Sequence, residues 1–216
     1  MIIYLCFFAS RGGAFPVASH GKIDAETIYM ECGLRDFIQF EVFEHALTGF
    51  EKISGLKNQK IITIIDYSKP SVQERFFVID LERKKILYRT WVSHGKNSGG
   101  NVAENFSNKS NSLKSSLGFF ITAEAYHGKY GYSLRLDGLE PGINDNARSR
   151  NIVIHGADYV GREIARQYGQ LGKSWGCPAL PPVLTKKIID AISEGSCLFI
   201  YGNDDQYFRN SKMLNN

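Results

Sequence analysis

Residues 60–94 read KIITIIDYSKPSVQERFFVIDLERKKILYRTWVSH, and the way this stretch divides decides the fold. KIITIID (60–66), RFFVIDL (75–81) and ILYRTWVSH (86–94) are short runs of β-branched and aromatic residues, a composition that suits a pleated, half-buried surface. The polar break Glu82-Arg83-Lys84-Lys85 predicts a hairpin between the second and third runs. The same signal continues in GFFITA from Gly118, SLRLDGL from Ser133, NIVIH from Asn151 and SCLFIY from Ser196. One helix interrupts them, because Val183, Leu184, Ile188, Ile189 and Ile192 form a single apolar stripe between Pro182 and Gly195.

Upstream the period changes. Ile28, Leu34, Phe37, Ile38, Phe43, Ala46, Leu47 and Phe50 recur at three- and four-residue steps, as a pair of amphipathic helices requires. Ser54, Gly55 and Asn58 then break the helical pattern. The sum is a mainly β domain over 58–203, preceded by a helical lead-in at 24–57 and followed by a polar tail at 204–216.

Bulk properties bound the function. A chain of 216 residues with 43% hydrophobic content can bury a real core. A net charge of +4, dispersed along the chain, is not a nucleic-acid footprint, but it suits an anionic setting such as a cell envelope. The run MIIYLCFF (1–8) is too short to span a bilayer. Residues 1–20 read either as a signal peptide with a cleavage point near Ala18-Ser19-His20, which places the protein outside the cytoplasm, or as a first buried strand. Cys6, Cys32, Cys177 and Cys197 show neither a C-x-x-C pair nor an even ladder, so no zinc finger or disulfide scaffold is indicated. The sequence is silent on oligomeric state. Between Gly95 and Leu117 runs a long Ser-, Asn- and Gly-rich stretch whose length marks a functional loop.

Chemistry concentrates in NIVIHGADYVGREIARQYGQLGKSWGCPAL (151–180). The strand Ile152-Val153-Ile154 delivers His155 to its end, and Gly156 allows close backbone approach there. Ser174-Trp175-Gly176-Cys177-Pro178 then puts a thiol on a tight turn bounded by Gly and Pro. A free thiol has a pKa of about 8.5, and a nearby imidazole can lower it to roughly 4–7. His155 is therefore the candidate base and Cys177 the candidate nucleophile, with backbone amides around Gly176 and Cys177 as oxyanion donors. The alternative is a packed core thiol, a description that fits Cys197 in SCLFIY and Cys32 on its helix better.

Other motif readings fail on spacing. Gly169-Gln-Leu-Gly172-Lys173-Ser174 lacks the spacing of a phosphate loop, and Gly95, Gly99 and Gly100 lack the dinucleotide pattern. A zinc site from His127, His155 and Cys177 has no close ligand pair. The histidine precedes the cysteine, the reverse of the papain order.

These residues resemble the murein L,D-transpeptidase catalytic domain family, in the branch with the signature Ser-Trp-Gly-Cys-Pro-Ala-Leu at 174–180. The likeness runs from about Asp36 to Tyr201 through Ile65-Asp66, Val78–Leu81, His94-Gly95, Ser98-Gly99, Phe106–Asn108, Ser115–Gly118, Tyr126–Lys129, Leu136–Leu139 and Ile154–Gly156. The resemblance implies a β-sandwich with mixed sheets and one helix after the nucleophile loop. It also implies a Cys-His pair completed by a backbone carbonyl, here unassigned, and no metal or organic cofactor. The implied reaction takes peptidoglycan stem peptides, releases D-Ala and passes the acyl group to an amine or to water. Ser174, Trp175 and Gly176 would then form the nucleophile loop, and Gly156, Tyr130, Tyr132 and His94 would support it or line the groove. One departure concerns substrate placement: Pro178 and Ala179 stand where better-known members carry an Arg. Arg148, Arg150, Arg162 and Arg166 are alternative carboxylate contacts, each with a solvated surface role as the competing reading. Two other functions stay open, another thiol hydrolase or sortase-like transpeptidase, and a non-catalytic envelope-binding module.

Overall fold

Among the described residues eight strands form one mixed sheet, in which the third, second, first, eighth, fourth, fifth, sixth and seventh along the chain lie side by side in that order. The computed structural model describes residues 24–215; the stretch read as a signal peptide lies outside them. In chain order the strands are β1 (Asn58–Asp66), β2 (Phe76–Asp80), β3 (Lys85–Thr90), β4 (Gly118–Gly128), β5 (Gly131–Gly138), β6 (Val153–Gly156), β7 (Ala179–Leu180) and β8 (Ser196–Tyr201). Neighbours run antiparallel except β1–β8 and β6–β7. The mainly β, mixed-sheet architecture is thus present, with the predicted hairpin as β2–β3.

The third run leaves the sheet earlier than its composition suggested. Beyond Thr90 the chain crosses to the far edge, where Ser93 bridges Ala179 and Gly95 bridges Ser174. That crossing draws the two sheet edges together into a barrel-like shape and sets the segment after His94 against the segment before Cys177.

The helical lead-in comprises α1 (Ala25–Glu31), a 3₁₀ turn (Leu34–Asp36) and α2 (Phe40–Lys52). Val42, Phe43, Ala46, Leu47 and Phe50 turn inward from α2 into the same core as Ile62, Ile64, Phe119, Leu198 and Phe199 of the sheet. Gly49 lets the helix come close: a Cβ there would fall inside the Phe119 ring. Helix α4 (Pro182–Ile192) occupies the predicted span and buries Thr185, Ile188, Ile189 and Ile192.

The sequence reading missed the short strand β7 and two helices. Helix α3 (Arg162–Tyr168) buries only Ala165, so it carries no apolar stripe to read. The segment read as a polar tail contains α5 (Asp205–Asn210), capped by the Asp204 side chain on Tyr207 N at 2.9 Å, with Tyr207 buried. Among the described residues no helix is long and apolar enough to cross a membrane.

Candidate active site

Cys177 and His155 both lie at the β6–β7 edge. His155 pairs with Ala179 in parallel register, so Cys177, two residues earlier, lies beside Val153, two residues before His155. The turn before β7 thus sets the thiol against the backbone that leads into β6 and to His155 at its end. Val153 N donates to Cys177 Sγ at 3.5 Å, and the thiol donates to Asn151 O at 3.6 Å. The thiol therefore rests on the backbone of the strand that carries the imidazole rather than on the ring itself.

The imidazole is held from two directions. Its Nδ1 lies 2.9 Å from Gly156 O, which fixes the proton on Nδ1 and leaves Nε2 bare. The half-exposed Tyr130 ring stacks on it, with centroids 4.6 Å apart and planes 22° off parallel. Gly156 also admits α4, since a Cβ there would lie 2.9 Å from Thr185 Oγ1. Burial pushes His155 below the ordinary imidazole value, and the Gly156 carbonyl partly opposes that shift. Burial likewise pushes the Cys177 thiol up, against the opposing pull of Val153 N–H and Arg150. Both shifts favour the uncharged forms of the pair over a thiolate–imidazolium pair.

Ser174, Trp175 and Gly176 shape the nucleophile turn. Ser174 Oγ donates to Cys177 O at 2.6 Å and accepts from Gly176 N at 3.1 Å. The Gly176 amide, read from sequence as an oxyanion donor, is thereby committed inside the turn. Among the described residues the Cys177 N–H has no protein acceptor. Gly176 adopts φ +127, and a Cβ there would meet Lys114 O at 2.8 Å. Trp175 is exposed and overhangs a recess lined by Asn111, Leu113, Arg150 and Asn151. A second recess is lined by Tyr130, Tyr132, Gly156, Asp158 and Lys186. Tyr132 borders it with its hydroxyl donated to Asp190 at 2.8 Å.

His94 does not line the groove. It is fully buried, with Arg75 Nη2 2.7 Å from Nδ1 and Lys173 Nζ 3.0 Å from Nε2. An arginine can only donate, so Nδ1 accepts from Arg75 and Nε2 carries the ring proton, with Gly99 O at 3.3 Å as its acceptor; the Lys173 ammonium, also a donor, crowds that N–H rather than bonding it. Burial, then Arg75 and Lys173, push its pKa down to about 3. His94 instead braces the chain behind the nucleophile turn, and Ser174 N donates to its carbonyl at 3.0 Å.

The arginines also separate. Arg148 is exposed and pairs with Asp137 and Glu124. Arg162 and Arg166 are exposed on α3. Arg150 is half-buried beneath the nucleophile turn, where its Nη atoms bond the 107–116 loop. Its importance was missed because those partners lie about forty residues away in sequence, and only the polarity of the loop hinted at them. Among the described residues no group of three or more His, Cys, Asp or Glu could hold a metal ion.

Comparison with known proteins follows this geometry. A family model for the L,D-transpeptidase catalytic domain matches residues 35–201. Among solved structures, an L,D-transpeptidase from Mycobacterium smegmatis is 14% identical with a TM-score of 0.41, the alignment covering 66% of this chain and 59% of that one. The helical cell shape determining protein Pgp2 from Campylobacter jejuni is 14% identical with a TM-score of 0.45, covering 74% of this chain and 56% of that one. The chain thus spans less than two thirds of the length of these structures. No curated protein matches the sequence. Because the family match runs over well more than half of the sequence, the chain belongs to the L,D-transpeptidase catalytic domain family.

Proposed function

We propose that the protein is a cysteine acyltransferase acting on peptidoglycan stem peptides at the outer side of the cytoplasmic membrane, with Cys177 as nucleophile and His155 as base. One observation supports the reading: the Cys177 sulfur rests on the backbone of the segment whose end carries His155, and Gly156 O holds that ring with Nε2 bare. The step from the stated residues is short. Cys177 turns from Asn151 O toward the ring, and Sγ attacks the carbonyl after the L-centre of meso-diaminopimelate as its proton passes to His155 Nε2. Apo geometry of this kind commonly tightens only when substrate binds.

The Cys177 N–H is the candidate oxyanion donor, a class of contact worth about 10²–10³ in rate. The C–N bond to D-Ala then breaks, the imidazolium returns its proton to the leaving amine, and a thioester remains. An amine from another stem, or water, attacks that thioester while His155 takes its proton, and the departing sulfur receives that proton from the ring. Transfer to an amine makes the enzyme a transpeptidase; transfer to water makes it an L,D-carboxypeptidase. One recess includes Gly156 beside His155 and another includes Trp175 of the nucleophile turn, and these are the candidate approaches for donor and acceptor.

The test is incubation of the purified chain with tetrapeptide muropeptides, followed by mass spectrometry. Expected are D-Ala release, cross-linked or trimmed products, and a thioester mass on Cys177. A Cys177→Ala variant should lose turnover by several orders of magnitude, because binding and the oxyanion donor alone remain. A variant indistinguishable from the parent would instead favour a non-catalytic envelope-binding module, and cleavage at another bond would favour a sortase-like or other thiol hydrolase.

A further inference from the structure

Arg150 stands directly before β6 and reaches back across the molecule. Its Nη1 donates to Ser107 O at 2.7 Å and Ser116 Oγ at 2.6 Å; its Nη2 donates to Lys114 O at 2.7 Å and Ser112 Oγ at 3.2 Å. All four Nη hydrogens are therefore used within the protein, and none is left for a two-point grip on a substrate carboxylate. What Arg150 offers the site is a fixed position and a charge.

Both point at the nucleophile turn. Lys114 O, held by Nη2, lies 2.8 Å from the place a Gly176 Cβ would take, and Nη2 itself lies 3.5 Å from it. Gly176 brings no side chain to separate the guanidinium from the turn. The next residue's sulfur rests on the backbone of Asn151 and Val153, immediately after Arg150.

The ionisable groups around Cys177 are Arg150, His155 on β6, Tyr159 beyond it and Tyr67 beyond β1. His155 is neutral near pH 7 because burial lowers it, and both tyrosines are neutral because burial raises them. Arg150 is the one of the four that is charged. Burial pulls its guanidinium below the ordinary range, and an ionised Cys177 would offset that pull.

We propose that Arg150 is a positioning residue of the reaction, fastening the 107–116 loop under the Gly176–Cys177 turn and supplying the fixed positive charge that meets the sulfur as its proton leaves for His155. The inference rests on the reading of Cys177 as nucleophile. Arg150 transfers no proton; it favours the thiolate–imidazolium state over the neutral pair.

The experiment is the pH dependence of Cys177 alkylation by iodoacetamide, mapped by peptide mass so that Cys6, Cys32 and Cys197 are scored separately. The full chain is used, as parent, Arg150→Gln and Arg150→Lys. The Gln variant should raise the alkylation midpoint by about one pH unit or more and slow the reaction near neutrality by about tenfold. The Lys variant keeps the charge and should restore most of the midpoint, while Ser112→Ala, which removes a loop bond only, should leave it in place. If Arg150→Gln does not fold, Arg150→Met is the second neutral variant.

A parental midpoint in the neutral variant overturns the inference, whatever happens to turnover. So does a Lys variant shifted as far as Gln, since the role would then be the hydrogen bonds alone. If Cys177 of the parent forms no thioester with muropeptides, the nucleophile reading fails first and this inference goes with it; a parent that acylates beside an unshifted neutral variant sinks the inference alone.

Discussion

Replacing Gly176 with alanine perturbs the nucleophile turn by a single methyl group. At φ +127 an L-residue is strained, at a cost of about 1–3 kcal/mol. The new Cβ would also lie 2.8 Å from Lys114 O and 3.1 Å from Ile152 Cδ1. Lys114 O is backbone and is held by Arg150 Nη2 at 2.7 Å, so it cannot retreat without breaking that bond. Overpacking of this kind costs about another 1–3 kcal/mol. We expect Gly176→Ala to lose at least about 2 kcal/mol, a fall in urea midpoint on the order of 1 M. The folded fraction should acylate Cys177 about 100-fold more slowly, because a displacement of about 1 Å at the reacting sulfur has that effect. Urea unfolding and a time course of thioester formation by intact mass check the two halves. Parental midpoint together with parental acylation rate would refute the account of the turn.

Three further outcomes follow from the same structure. Because burial lowers His155 and raises Cys177, kcat/KM should climb through a value below the ordinary imidazole 6.5, level off, and fall above the ordinary thiol 9.0 as the proton needed by the leaving amine is lost; an acid limb centred above 6.5 would contradict the neutral ring. His94 has its pKa depressed to about 3, so as pH drops below 6.5 the unfolded chain binds a proton that the folded chain refuses. Stability should decline across that window by about 4–5 kcal/mol in full, and His94→Gln, which keeps an acceptor for Arg75, should flatten the decline when urea midpoints are compared at pH 7 and pH 4. Gly49→Ala forces a methyl into the buried Phe119 ring and should cost about 1–3 kcal/mol in thermal or urea unfolding; an unchanged value would mean that α2 is not part of the shared core.

The sequence by itself determined the features that depend on near neighbours. β-Branched runs between turn residues marked β1, β2, β4, β5, β6 and β8, and an apolar stripe marked α4, because alternation and helical period are written along the chain. The turn at Cys177 and the strand end at His155 were legible for the same reason: Gly and Pro punctuate them locally. Only the tertiary structure decided what each polar group does. His94 looked like a groove residue until closure of the sheet buried it between Arg75 and Lys173. The Gly176 amide looked free until Ser174 Oγ took it, and the carbonyl that orients His155 had no name until Gly156 O was seen 2.9 Å from Nδ1. Arg150 was one of four candidate arginines until the 107–116 loop folded over it. Hydrogen bonds and fields act through space, and closing this sheet brings together residues that the chain keeps 34 to 43 positions apart at Arg150 and 79 apart at His94 and Lys173.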